Sequence, residues 1–365
     1  MKKPVSLYLD LVRFLAAVAV VLSHLGSRPF SEGVVTWRMS SYGTIAVTVF
    51  FVLSGYVIAY VASTRETNAA SYFGARIARL YSVLLLALGL TFTFDKFGMA
   101  VDPSLYLDQK LLLKPESWQG YLSILFLVNE FQIFHFNGIS AGTNGPLWSL
   151  SFEAAYYVIA GLVLFTKKSF WLPASAVILV LAGRTITALL PVWALGYLIY
   201  NMNIRTKIPK TILAGGALLT VCLIAQMPRF SAILPSDNFG FYMPWGRGPF
   251  DRNLAADYLV AILFAINLVC VQNLFGAETN IPLGAERFVK WVSALTFPLY
   301  CTHYPALCLF TAIRPWPASS VGGAVFEFAL VMCLAAAVTP LCDRLKYAIR
   351  DIIIRVTLAK TRVAK

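Results

Sequence analysis

Arg13 and His24 are the two residues of this sequence best placed to act on a common substrate. A guanidinium offers a fork of donors that fits phosphate oxygens, and a neutral imidazole accepts a proton from a hydroxyl or amine. An α-helix turns ~100° per residue, so eleven steps bring His24 back to within ~20° of Arg13 on one helical face. At ~1.5 Å per residue the two stand ~16 Å apart along the axis. They cannot touch, but they can line one tunnel. The stretch that carries them, Leu7 to Leu25, is otherwise apolar. An arginine deep in hydrocarbon costs ~2.5–3.5 kcal/mol on the lenient insertion scale, so it faces a bundle interior or a wet cavity.

Other ionisable residues fall into two sets. Asp10 lies one helical turn before Arg13, and Arg76 and Arg79 share a face at the start of the third apolar run. These form a basic set suited to a phosphorylated cytosolic molecule. Glu153 lies about two turns into the fourth run, and His303 lies in the far half of the ninth, just before Pro305. With His24 they form an expected second set at the outer leaflet. The arrangement predicts two substrates approaching from opposite sides of a membrane. One is a phosphate-bearing thioester whose pantetheine arm threads the Arg13–His24 face, and the other is an acceptor arriving from outside.

The elements that must hold these groups follow from composition. Hydrophobic residues make up 59% of the chain and charged residues only 13%, with a mean hydropathy of +0.72. Those values describe an integral membrane protein. Apolar runs fall at 7–26, 43–62, 77–94, 147–166, 170–183, 186–201, 211–227, 255–275, 289–312 and 321–341. They predict an all-α, polytopic bundle of about ten transmembrane helices. Gly183, Arg184 and Pro191 interrupt the fifth and sixth, which leaves a re-entrant or broken helix open there.

The net charge of +13 is read as topology rather than as nucleic-acid binding. With both termini in the cytoplasm, 19 of the 30 Lys and Arg fall inside, 10 outside and Arg13 within the first span, as the positive-inside rule requires. The division expected is a transmembrane domain over 1–343 and a basic cytoplasmic tail over 344–365 that contacts anionic lipid. Polar Asp10, Arg13 and His24 mark residues 1–26 as a first helix rather than a signal peptide. The six cysteines show no metal-binding spacing and read as packing residues. His135 sits among phenylalanines in a long outer loop, Asp95 to Gly145, and Glu327 reads as a structural partner.

The motifs Leu9-Asp10-Leu-Val-Arg13 with His24, Phe50-Phe51-Val-Leu-Ser54-Gly55-Tyr56, Arg76-Ile-Ala-Arg79-Leu-Tyr81, Trp148-Ser149-Leu150-Ser151-Phe152-Glu153 and Ser293 to Pro305 occur in that order. Together the sequence resembles the acyltransferase 3 family of membrane-bound O-acyltransferases, which modify cell-surface glycans and antibiotics and carry an Arg-x10-His signature. Ser82 stands where the family often has proline, and Tyr300-Cys301-Thr302-His303 replaces its usual late motif. Some relatives carry a fused esterase-like domain, for which this chain is expected to be too short.

The resemblance implies an acyl-CoA donor, acetyl-CoA above all, on the cytoplasmic side of a bacterial inner membrane, and a carbohydrate acceptor. It implies His24 as general base and Arg13 in donor binding. Glu153 would orient His24 or hold the acceptor. Trp148, Ser149, Ser54 and the Gly55 N–H are open candidates for stabilising the oxyanion. Asp10, Arg76, Arg79 and His303 complete the expected substrate-binding set, with no metal and no bound cofactor. Asp10 has an alternative reading as the in-helix partner of Arg13, and Ser54-Gly55 as a close helix contact. The rival function is a transporter or flippase for a polar lipid or glycan, against which the lack of an internal repeat counts.

Overall fold

A computed structural model describes residues 1–27, 29–32, 34, 41–109, 111, 118–134, 139–234, 252–276 and 279–363. Twelve α-helices occur among them: α1 (Lys3–Leu25), α2 (Tyr42–Thr64), α3 (Ala69–Val101), α4 (Pro103–Leu107), α5 (Trp118–Leu125), α6 (Trp148–Phe165), α7 (Lys168–Ala182), α8 (Arg184–Met202), α9 (Lys210–Phe230), α10 (Leu254–Leu274), α11 (Leu283–Ile313) and α12 (Val321–Val363). Among the described residues eight helices are long and apolar enough to cross a membrane. The chain is therefore a multi-pass, all-helical membrane protein. The other two expected spans also form helices. α7, at 15 residues, is short, and α11, at 31 residues, carries Thr296, Thr302, His303 and two prolines that lower its apolarity. His135 lies outside the described residues.

Local chemistry sets the helix ends. Asn68 accepts from the Ser71 N–H at 2.9 Å to start α3, and Asn253 accepts from the Ala256 N–H at 3.0 Å to start α10. α7 and α8 are separate helices because Gly183 adopts φ +89° between them, a backbone conformation that favours glycine. Pro191 sits inside α8 without ending it.

Two expected boundaries move. α3 continues past Asp95 to Val101, because the buried Asp95 carboxylate is met from 48 residues away by the Thr143 N–H (2.8 Å) and hydroxyl (2.7 Å). The last helix does not stop where its apolar run stops. α12 runs unbroken through 43 residues, ~64 Å at 1.5 Å per residue, about twice a hydrocarbon core. Beyond that core Ile353 closes on Gly74 of α3, so the extension is braced on the bundle.

α1 and α11 lie side by side and run in the same direction. Lys3 pairs with Glu286 near their starts (2.5 Å), and the rings of His24 and His303 meet near their other ends at 5.3 Å. α2 crosses α8 closely enough that a Cβ on Gly55 would overlap the Trp193 carbonyl oxygen, and one on Gly196 that of Val52. This is the small-residue contact expected at Ser54-Gly55. Apolar packing divides into a larger core built mainly on α2, α3, α6, α8 and α10 and a smaller one joining α1, α11 and α12. Phe50 of α2 packs against both. The site lies at that seam.

Candidate active site

A cavity of about 400 Å³ reaches Arg13, midway along α1, from the side of that helix's N-terminus and is walled by α1, α2, α3, α6, α11 and α12. Arg13, Arg79, Ser54, Ser149 and Glu153 all line it. Five of the residues singled out from sequence therefore meet, although they come from four helices. Arg13 keeps Asp10 as its partner at 3.2 Å. Among the described residues Arg79 has no ion pair, and its guanidinium lies over the Phe297 ring at 5.9 Å. Arg13 and Arg79 repel one another, and both are drawn to Glu153. The chamber thus holds two guanidiniums on its wall, an arrangement that suits a phosphate.

Glu153 belongs to this set and not to the histidines. Its carboxylate accepts from the Ser54 hydroxyl at 3.3 Å and from the Tyr157 hydroxyl in a short contact. Ser54 in turn accepts from the Trp193 indole N–H at 3.2 Å. The expected outer-leaflet grouping of Glu153 with His24 is therefore corrected. The cause is the segment before α6, which dives into the bundle: Asn144 is fully buried and donates to the Thr91 hydroxyl and the Cys301 carbonyl, each at 2.9 Å. α6 consequently starts deep, and two turns carry Glu153 down to the level of Ser54.

The same asparagine explains how α11 tolerates its prolines. Pro305 has no N–H, so the carbonyl four residues earlier, that of Cys301, loses its helical donor. Asn144 replaces that donor. Pro298 likewise strips the Ala294 carbonyl, and Ala294 lines the cavity.

His24 and His303 stand at the other end of α1, outside the cavity wall. Tyr304 meets His24 edge-on at 5.0 Å and is itself met edge-on by Phe30 at 5.6 Å. Arg314 secures this corner by donating to the Phe30 and Pro29 carbonyls and pairing with Glu327 at 3.1 Å. His303 is fully buried. Its Nδ1 lies 2.8 Å from the Tyr300 carbonyl and 3.2 Å from that of Leu299, which places the proton on Nδ1. Nε2 then carries a lone pair, and among the described residues it has no hydrogen-bond partner.

Tyr300 separates the chamber from the imidazoles. Its ring is 6.1 Å from His303 on one side and 5.8 Å from Phe50 on the other, and both Tyr300 and Phe50 line the cavity. The Tyr300 hydroxyl donates to the Pro146 carbonyl at 2.9 Å, so it accepts from Ser149 at 2.7 Å.

Besides His303, three more expected substrate contacts lie off the cavity. Arg76 turns away to a buried ion pair with Glu66 and stacks over Tyr72 at 4.1 Å. The charge that captures it arrives from the turn between α2 and α3. Asp10 sits behind Arg13 as its partner. Trp148 packs against Phe152 at 5.0 Å and under the Arg252 guanidinium at 5.6 Å. Tyr300, Ser293, Asp343 and Lys346 also line the cavity. Sequence reasoning noted Tyr300 and Ser293 only as part of the late motif and gave them no role, and it missed Asp343 and Lys346, which had no signal. Among the described residues no group of three His, Cys, Asp or Glu is placed to hold a metal ion.

A family profile described as an acyltransferase domain matches residues 6–343. The chain is 31% identical over 151 residues to Acyltransferase MdmB of Streptomyces mycarofaciens, covering 40% of this chain and 36% of that protein. It is 27% identical over 160 residues to the O-acetyl transferase of Shigella phage Sf6, 44% and 46% of the two chains. O-acetyltransferase OatA of Staphylococcus aureus is 24% identical over 166 residues, 43% of this chain and 24% of the relative. The matches thus span less than half the length of each of these relatives. No solved structure matches. With the profile covering all the motifs gathered around the cavity and the paired imidazoles, the chain belongs to the acyltransferase 3 family.

Proposed function

We propose that this protein transfers an acyl group, acetyl foremost, from acyl-CoA to a hydroxyl of a cell-surface or lipid-linked carbohydrate, as a multi-pass enzyme of the bacterial inner membrane. The observation that carries the reading is the placement of a two-arginine chamber at the middle of one helix and a pair of imidazoles at its C-terminal end. Arg13 and His24 are ~16 Å apart along α1. A pantetheine arm has roughly thirteen bonds from phosphorus to sulphur, a little over four residue lengths of extended chain, or ~15 Å. A donor phosphate held by Arg13 and Arg79 therefore brings the thioester to the level of His24. On its way the arm passes Phe50 and Tyr300, and the Ala294 carbonyl can accept from one of its amides. The printed names of the relatives, acyltransferase and O-acetyltransferase, support the same chemistry.

In this reading the N-terminal end of α1 faces the cytoplasm. The acceptor hydroxyl gives its proton to the His24 imidazole as its oxygen attacks the thioester carbonyl. The tetrahedral intermediate collapses with cleavage of the C–S bond, and the CoA thiolate takes the proton back from the imidazolium. His303, with its proton committed to backbone carbonyls, packs its ring beside His24 at 5.3 Å and restricts where that imidazole can turn. Glu153 serves the donor chamber, where it balances the two arginines and fixes Ser54.

Thiol release from acetyl-CoA, measured on the purified protein in lipid nanodiscs with a surface-glycan extract, tests the assignment. Wild type releases thiol only when the extract is present, and His24→Ala loses at least 100-fold in rate, the scale of general base catalysis. An unimpaired His24→Ala would sink the role of His24. Absence of CoA binding would favour a transporter of polar lipid or glycan.

A further inference from the structure

The cavity has a charged rim that the motifs do not include. Asp343 and Lys346 of α12 line its mouth together with Ser293 of α11, and both charged residues are exposed. Lys346 lies beyond the family match, which ends at residue 343. It belongs to the part of α12 that continues after the apolar run and is braced on α3 through Ile353 and Gly74. Arg13 and Arg79 stand deeper on the same wall. The cavity therefore presents cations at two depths, with one carboxylate beside the outer one.

We propose that this rim is the subsite for the nucleotide end of the donor, with Lys346 taking a ribose or diphosphate phosphate and Asp343 accepting from the amino group of the base. The inference rests on the acyl-CoA reading above and deepens it. If the inner arginines hold the phosphate that begins the pantetheine arm, the rest of the molecule must leave through the mouth, where it meets α12. A lysine is a point charge with three donors, suited to a phosphate approached from solvent. A carboxylate beside it repels a purely anionic ligand but complements one that also carries an N–H donor. Adenosine bisphosphate has both groups. A carrier protein's phosphopantetheine has only the phosphate.

The test measures binding of CoA, adenosine 3′,5′-bisphosphate and pantetheine to the full chain in phosphatidylcholine nanodiscs, so that no acceptor is needed. Lys346→Ala is expected to weaken CoA and the bisphosphate roughly tenfold, the usual loss of one charged hydrogen bond, with Lys346→Arg restoring most of it. Pantetheine binds wild type and Lys346→Ala alike. Arg344→Ala removes the same charge two residues away, at a position off the cavity, and leaves CoA binding unchanged. CoA binding that ignores Lys346, or an equal loss for Arg344→Ala, overturns the subsite while the donor reading stands. No binding of CoA to wild type overturns both.

Discussion

Arg76 and Arg79 are one helical turn apart, yet the fold gives them different tasks. Arg76 and Glu66 are each only 8% exposed, and removing one partner of such a pair leaves a buried charge. Arg76→Ala should therefore lower stability by about 3–5 kcal/mol, read as a drop in thermal midpoint in detergent, while Arg76→Met with Glu66→Met recovers most of the loss. Arg79→Ala should leave the midpoint near wild type and raise the KM for acyl-CoA. The reverse pattern would mean that the chamber has been assigned the wrong arginine. Sequence reasoning could not separate the two, because Glu66 lies in a turn whose path was not legible. Arg13, Arg79, Ser54, Ser149 and Glu153 were legible, since a polar group inside an apolar span is costly unless it is used. Glu130 carried no such signal. It follows α5 in a connecting segment, half-buried, with only a long contact among the described residues, from the Asn129 amide at 3.5 Å, and burial pushes its carboxyl up to about 8. Its folded pKa thus exceeds its unfolded value, so the folded state binds the extra proton between pH ~4.5 and 8 and stability falls as pH rises through that window. Glu130→Gln should remove that loss, giving a midpoint above wild type at pH 8 and equal to it near pH 4.5.

At the scale of elements, the spans could be read from the length of apolar runs, but their ends could not. α3 outlasts its run because Thr143 satisfies Asp95, and α12 outlasts its run because α3 offers Gly74 as a seat for Ile353. Both causes are tertiary contacts between residues far apart in sequence. The depth at which α6 starts has the same origin. The buried segment before it is tied by Asn144 to α3 and to the carbonyl that Pro305 frees in α11, so a single amide sets the height of Ser149 and Glu153 against that of Tyr300 and His303. Asn144→Ala should cost about 1–3 kcal/mol, since it leaves the Cys301 carbonyl without a donor. The informative readout is kinetic. Arg13 and Arg79 come from α1 and α3 and keep their places without this tie, whereas Ser149 and Glu153 shift, so kcat should fall by more than the KM for acyl-CoA rises. A pure stability loss with unchanged kcat would remove Asn144 from the positioning of the site.

For the whole molecule, the proposed reading separates the two substrates by about half of a bilayer's hydrocarbon core, ~16 Å of ~30 Å. The chamber lies midway along α1, its rim faces the end of the bundle where the extension of α12 emerges, and the imidazoles lie at the C-terminal end of α1, under the corner held by Arg314. Phe50 and Tyr300 stand between them. In the proposed reading a donor arm is drawn past these two rings before the thioester meets His24, while the acceptor need never enter the chamber. This makes sidedness a property of the fold and open to direct measurement. In sealed proteoliposomes of fixed orientation, acetyl-CoA labelled in its acetyl group should support transfer when supplied at the face bearing Lys346, with acceptor glycan on the opposite face. Supplying donor on the His24 face should give no label above that of His24→Ala. Equal labelling from either side would mean that the acyl group never crosses by way of α1, and the ~16 Å spacing of Arg13 and His24 would lose its meaning as a measure of the donor arm.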